Sequence, residues 1–131
     1  MKGKHVEVQE GHSSLNILEN ENKSLTDSFR SLTKIKEYNT GFMDLKSGAC
    51  DAPIVDIPLA KYHMKDKGAD KFKILDEPIT LEQYGIAFKK WNDNLKNQIQ
   101  KTLDEMYNDS TVNKIAQKYN EYDIEASLIS P

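Results

Sequence analysis

Cysteine is nearly absent. Cys50 stands alone, which excludes an internal disulfide framework, a cysteine-ligated zinc cluster and a CxxC redox pair. Long apolar runs are missing too: nothing approaches the ~18 residues of a membrane span. The opening Met1-Lys2-Gly3-Lys4-His5 has no apolar core of a signal peptide, so these residues carry no export signal of their own. Excess positive charge is also lacking. Eighteen Lys and Arg face 21 Asp and Glu, giving a net charge of −3 and a pI near 5.6, so nucleic acid is not an expected partner.

The residues needed for catalysis are equally sparse. His5, His12 and His63 show no HExxH, HxH or i,i+4 spacing, and no metal site or cofactor is expected. The Ser13-Ser14 pair lacks a GxSxG setting. Cys50, in an apolar run beside Asp51, is expected to have a raised thiol pKa and no nucleophilic role. The sequence is not expected to be an enzyme.

What is present suits a folded chain with one core: 131 residues, 37% of them apolar and 30% charged, the apolar ones gathered in short clusters. His5 to Gln9 alternates apolar and polar residues around two valines and predicts a strand. It meets Gly11-His12-Ser13-Ser14, where Gly turns the chain and a Ser can cap a helix bearing Leu15, Ile17 and Leu18. Ser24 to Asp27 is a capping-box pattern that aligns Leu25, Phe29 and Leu32 on a further helix. A strand is expected over residues 33–38, then a helix capped by Thr40 and stopped by Gly48. Cys50 to Val55 reads as a strand in which Pro53 lacks a ladder donor. Pro58 launches the next helix, with Leu59, Tyr62 and His63. Phe72–Leu75 and Tyr84–Phe88 read as two more strands. Leu95, Ile99, Leu103 and Met106 then mark a helix, and Val112, Ile115, Ala116 and Tyr119 another, after a break at Asn108-Asp109-Ser110; residues 120–131 look frayed. Strands alternating with helices give an α/β class, a largely parallel sheet flanked by helices, with helices concentrated at the C-terminus.

One constellation bears on binding. The turn after the first strand places backbone N–H groups and the Ser13 and Ser14 hydroxyls where a carboxylate or phosphate is attracted. Asp56 ends another strand, and ligands of open parallel sheets gather beyond the carboxyl ends of strands. If those strands are neighbours, their ends suit a zwitterion such as an α-amino acid. Ser13, Ser14 and Asp56 read as well, and on spacing alone better, as plain helix N-caps.

The motifs Lys2 to Ser14, Gly48-Ala49-Cys50-Asp51-Ala52-Pro53-Ile54-Val55-Asp56 and Tyr84-Gly85-Ile86-Ala87-Phe88-Lys89-Lys90 occur in one order. That order resembles the polar amino-acid substrate-binding proteins of bacterial ABC transporters, bacterial solute-binding family 3, with the type II periplasmic binding fold. The segments Leu95 to Leu103, Asp104-Glu105-Met106, Asn108-Asp109-Ser110-Thr111 and Ile115 to Tyr119 are similar to the family's C-terminal helices, so the resemblance covers nearly the whole chain. Three departures stand out: His12 occupies a usual Ser or Thr position, Pro53 a usual Val or Ala, and Trp91 a common Gly.

The resemblance implies a two-lobed fold in which this sequence begins near the start of lobe two. Residues 1–90 are expected to form that second lobe with its returning crossover strand. Residues 91–131 are expected to form C-terminal helices that would pack on a first lobe lacking here. By motif position Ser13, aided by the His12 and Ser14 backbone, is expected to touch a ligand carboxylate, Asp56 to pair with its α-ammonium, and Gln9 to line the pocket. The first lobe's carboxylate-gripping Arg and aromatic platform are left unassigned. The implied function is extracytoplasmic binding of an amino acid for an ABC transporter permease, weak or absent in this partial chain. The implied location is periplasmic or extracellular, with a lipoprotein anchor in the full-length protein. A ligand-sensing module of the same fold and a dehydratase-like enzyme are the alternatives. The helical stripe of Leu95, Ile99, Leu103 and Met106, without its partner, is expected to repack or to self-associate, with exchange of C-terminal helices as one route.

Overall fold

The structure, a computed structural model, describes residues 1–129. It divides into two compact units, residues 1–80 and residues 81 onward.

In the first unit, β1 (His5–Gln9) is followed by α1 (Ser13–Asn16), a π-helical turn over Ile17–Glu21, α2 (Lys23–Ser28), β2 (Ser31–Ile35), α3 (Tyr38–Ser47), β3 (Ala52–Ile54) and α4 (Ile57–Lys67). The sheet is parallel throughout, in the order β2-β1-β3. Val6 lies opposite Leu32 and Ala52, and Val8 opposite Lys34 and Ile54. Val6 and Val8 point to one face, where they pack with Leu15, Leu18, Phe29 and Ile54 as the core, with Leu25, Leu32 and Ile79 against it. Burial of each such side chain contributes roughly 1.5–3 kcal/mol.

Glu7 points to the other face, and alternation alone would leave it in solvent. Here α3 covers that face as well, so Glu7 is buried. The close approach of α3 depends on Gly41. A Cβ there would lie 2.8 Å from the Ile35 Cδ1 atom and 3.3 Å from the Pro53 Cβ atom. Pro53 fits because β3 is an edge strand, where N–H groups on the outer side need no ladder partner. Gly48, at φ +82°, ends α3 in the left-handed conformation that glycine adopts without penalty. On this face Phe42 stacks on His63 of α4 at 4.6 Å between ring centroids and meets Phe72 edge-on at 6.0 Å.

Several local expectations are corrected. The capping box is not used: Asn22 precedes α2, which ends at Ser28, so Phe29 is extended and Leu32 belongs to β2. β2 starts earlier than its composition suggests, because the β1 ladder fixes its register and draws in Ser31 and Leu32. Tyr38 therefore opens α3, with Glu37 rather than Thr40 at the cap. Phe72–Leu75 and Tyr84–Phe88 are not strands, since among the described residues neither has a ladder partner, and strand propensity without pairing makes no sheet.

The second unit holds α5 (Asp93–Asn108) and α6 (Thr111–Gln117). The break is made by Ser110 at φ +62° and by Asp109, whose Oδ1 accepts the Thr111 N–H at 2.8 Å. Those hydrogen bonds from Thr111 hold the Asp109 carboxyl below its usual range. Along α5, Ile99, Leu103 and Met106 are half-buried and Leu95 is exposed, so the stripe is only partly covered. Beyond α6 the chain forms short 3₁₀ turns at Asn120–Tyr122 and Glu125–Ser127 instead of fraying, and Gln117 donates to the Glu125 carboxylate at 3.1 Å. Ser130 and Pro131 lie outside the described residues.

Candidate functional site

The helices joining β1 to β2 lie on the Val6 and Val8 face, and α3, joining β2 to β3, lies on the Glu7 face. From β1 the chain thus winds in opposite directions to its two neighbours. The crevice beyond the carboxyl ends of β1 and β3 is the switch point of such a sheet, the place where open α/β folds collect ligands.

β1 delivers its end through a turn at Gly11, φ +79°, closed by His12 N donating to the Gln9 carbonyl at 3.1 Å. His12 is the N-cap of α1, with extended backbone, and its Nδ1 accepts the Ser14 N–H at 3.1 Å. A backbone N–H can only donate, so in the neutral ring Nδ1 is bare and the proton sits on Nε2. That Nε2 faces the Asp56 Oδ1 atom at 3.4 Å. The Ser14 hydroxyl is also against Nδ1, and Ser14 is fully buried. The Tyr38 ring, at the start of α3, lies T-shaped to the His12 ring with 6.1 Å between centroids.

β3 delivers Asp56. Its carbonyl opens α4 by accepting the Ala60 N–H at 2.8 Å, yet its side chain makes no capping hydrogen bond. One chemical reason is local: Pro58 occupies the second helical position and has no N–H to give. The carboxylate is turned toward His12, one-third exposed. The plain-cap reading of the Asp56 side chain is therefore not the arrangement observed.

His12, Ser14 and Asp56 are thus brought together, and Ser13 is adjacent in the same turn. Gln9 is half-buried and committed, its amide donating to the Lys36 carbonyl at 2.9 Å. The sequence pattern gives Tyr38 to a strand; in the structure it is the first residue of α3, three positions past the end of β2, which sets its ring beside His12.

The other polar clusters have structural roles. At the amino edge of the sheet, Asp51 accepts the His5 N–H at 2.8 Å and pairs with Lys4 at 3.0 Å, which holds its carboxyl below the usual range. Cys50 precedes β3, and its thiol is pushed up to about 12 by burial and by Glu7, not by Asp51 as expected. Burial against Phe42 and the charge of Lys67 lower the His63 pKa. Among the described residues no group of His, Cys, Asp and Glu is placed to hold a metal ion, and no helix is long and apolar enough to cross a membrane.

A parallel α/β sheet with a hydrogen-bonding turn and a carboxylate at its switch point is an open α/β fold of the kind that collects ligands beyond its strand ends. No family model matches the chain. It is 33% identical over 89 residues to the ABC transporter glutamine-binding protein GlnH of Bacillus subtilis (strain 168), covering 68% of this chain and 32% of that protein. To the L-cystine-binding protein TcyJ of Escherichia coli (strain K12) it is 29% identical over 80 residues, covering 61% of this chain and 30% of that protein. The solved structure of an ancestral arginine-binding protein bound to glutamine superposes with a TM-score of 0.71 at 36% identity, over 90% of this chain and 50% of that one. These relatives point to the bacterial solute-binding family 3, the amino-acid solute-binding proteins. It spans about a third of the length of these curated relatives and half of the solved one.

Proposed function

We propose that the chain binds an α-amino acid at the carboxyl ends of β1 and β3. The observation that carries this reading is Asp56: a carboxylate at the switch point, turned toward the end of β1, in a chain whose relatives bind glutamine and cystine by name. Asp56 takes the ligand ammonium. Ser13, with the backbone of His12 and Ser14, takes the carboxylate, and Gln9 lines the floor, held by its hydrogen bond to the Lys36 carbonyl just past β2. The role is binding, not turnover; the relatives named above are binding proteins. The setting is extracytoplasmic, periplasmic or extracellular, with a lipoprotein anchor outside the residues given, and the downstream partner is an ABC transporter permease. The partly exposed face of α5 and α6 supports self-association through that face.

The test is Asp56→Asn. Asn preserves shape and removes charge, and a hydrogen bond to a charged group contributes roughly 1.5–3 kcal/mol. Amino-acid affinity is expected to fall by about tenfold or more with little change in melting temperature. Unchanged affinity contradicts the assignment.

A further inference from the structure

Asp56 already faces a nitrogen base. His12 presents Nε2 to its carboxylate at 3.4 Å, and the imidazole side chain is only 11% exposed, so the pair is weakly screened. The other edge of the ring is held by Ser14. When neutral, its Nδ1 accepts the Ser14 N–H. When protonated, Nδ1 must donate: the Ser14 hydroxyl, fully buried and already against it, is the acceptor, and the Ser14 N–H gives up its cap. The groups facing the ring are Asp56 from the β3–α4 loop, Ser14 of α1 and the Tyr38 ring from α3. Tyrosine is uncharged across the range in which an imidazole titrates, about pH 5–8.

We propose that His12 is the resident competitor for Asp56: an incoming ammonium group has to displace the imidazole, and binding weakens as His12 takes up a proton. This rests on the assignment of Asp56 as the ammonium partner. In the neutral state the ring offers Asp56 one N–H dipole, which a full positive charge replaces favourably. In the protonated state the ring is itself a cation at ion-pair distance, and the ligand gains nothing by the exchange. Capture is therefore favoured at neutral and alkaline pH, and acidification releases the ligand.

The test uses the 131-residue chain with L-glutamine as probe, followed by amide NMR at about pH 7.5 and about pH 5.5. The variant is His12→Asn, which keeps an N-cap acceptor for Ser14 N–H and does not titrate. The wild type is expected to lose on the order of tenfold in affinity between the two pH values, and the variant to be nearly flat. An equal pH ratio in wild type and His12→Asn overturns the competitor role while leaving the amino-acid reading intact. Absence of binding of any amino acid at either pH overturns both.

Discussion

Glu7 sits at the centre of the central strand with its Oε2 atom buried and without a hydrogen-bond partner. Burial and the nearby Asp44 raise its pKa above the ordinary 4.5. The folded state therefore holds its proton more tightly than the unfolded chain does. The stability this contributes is complete below about pH 4.5 and is lost as pH rises through the raised folded value. Glu7→Gln removes that dependence and replaces a buried, unsatisfied acid with a neutral amide. Above the raised value the variant is expected to be more stable by roughly 1–2 kcal/mol, with the gain vanishing toward acid, read from urea midpoints of both proteins across pH. A variant less stable at every pH contradicts this account. Nothing in the sequence marks Glu7: the alternation His5-Val6-Glu7-Val8-Gln9 is what a half-exposed strand shows, and only the second covering helix buries it. Asp56 was legible as the end of a strand. The turn of its carboxylate toward His12 was not, because side-chain direction leaves no mark in the local pattern.

At the scale of elements, sequence and structure agree where punctuation is strong and diverge where pairing decides. Gly48 stops α3 and Pro58 starts α4 as read. The start of β2 and the absence of strands at Phe72–Leu75 and Tyr84–Phe88 depend on ladder partners, which no local pattern encodes. The α3–sheet contact yields a graded prediction at Gly41. Alanine gains about 1 kcal/mol of helix propensity but sets a methyl 2.8 Å from a movable Ile35 tip and 3.3 Å from the rigid Pro53 ring, so the two effects nearly cancel. Valine adds bulk with no propensity gain of that size and is expected to cost roughly 2–3 kcal/mol. Chemical denaturation of both variants checks the order; equal stability of the two contradicts the close packing. In the second unit, Trp91 holds φ +72° just before α5, 85% exposed, with Lys90 over its ring at 4.8 Å. A left-handed conformation costs a non-glycine residue about 1–2 kcal/mol, and the exposed cation–π contact returns about 0.5–1. Trp91→Gly is expected to be neutral to mildly stabilising, seen as unchanged or slower amide exchange in the first turn of α5. Faster exchange there contradicts the strain.

For the whole molecule, the topology carries the functional account. The order β2-β1-β3 with helices on both faces makes β1 and β3 adjacent, the condition on which the zwitterion site depended. The α/β class and the family were legible from motif order; the bridging of the two strand ends by His12 was not. With the Asp56 side chain one-third in solvent, the ligand contacts are partly screened and Asp56 contributes the largest of them, so this chain is expected to bind amino acids in the millimolar range. The most direct measurement is a backbone amide NMR map of the chain during titration with L-glutamine. The account predicts shifts concentrated in Gly11–Leu15 and Val55–Ile57, at the carboxyl ends of β1 and β3. Shifts centred instead on the amino edge, around Lys4 and Asp51, or no shifts at saturating L-glutamine, contradict it.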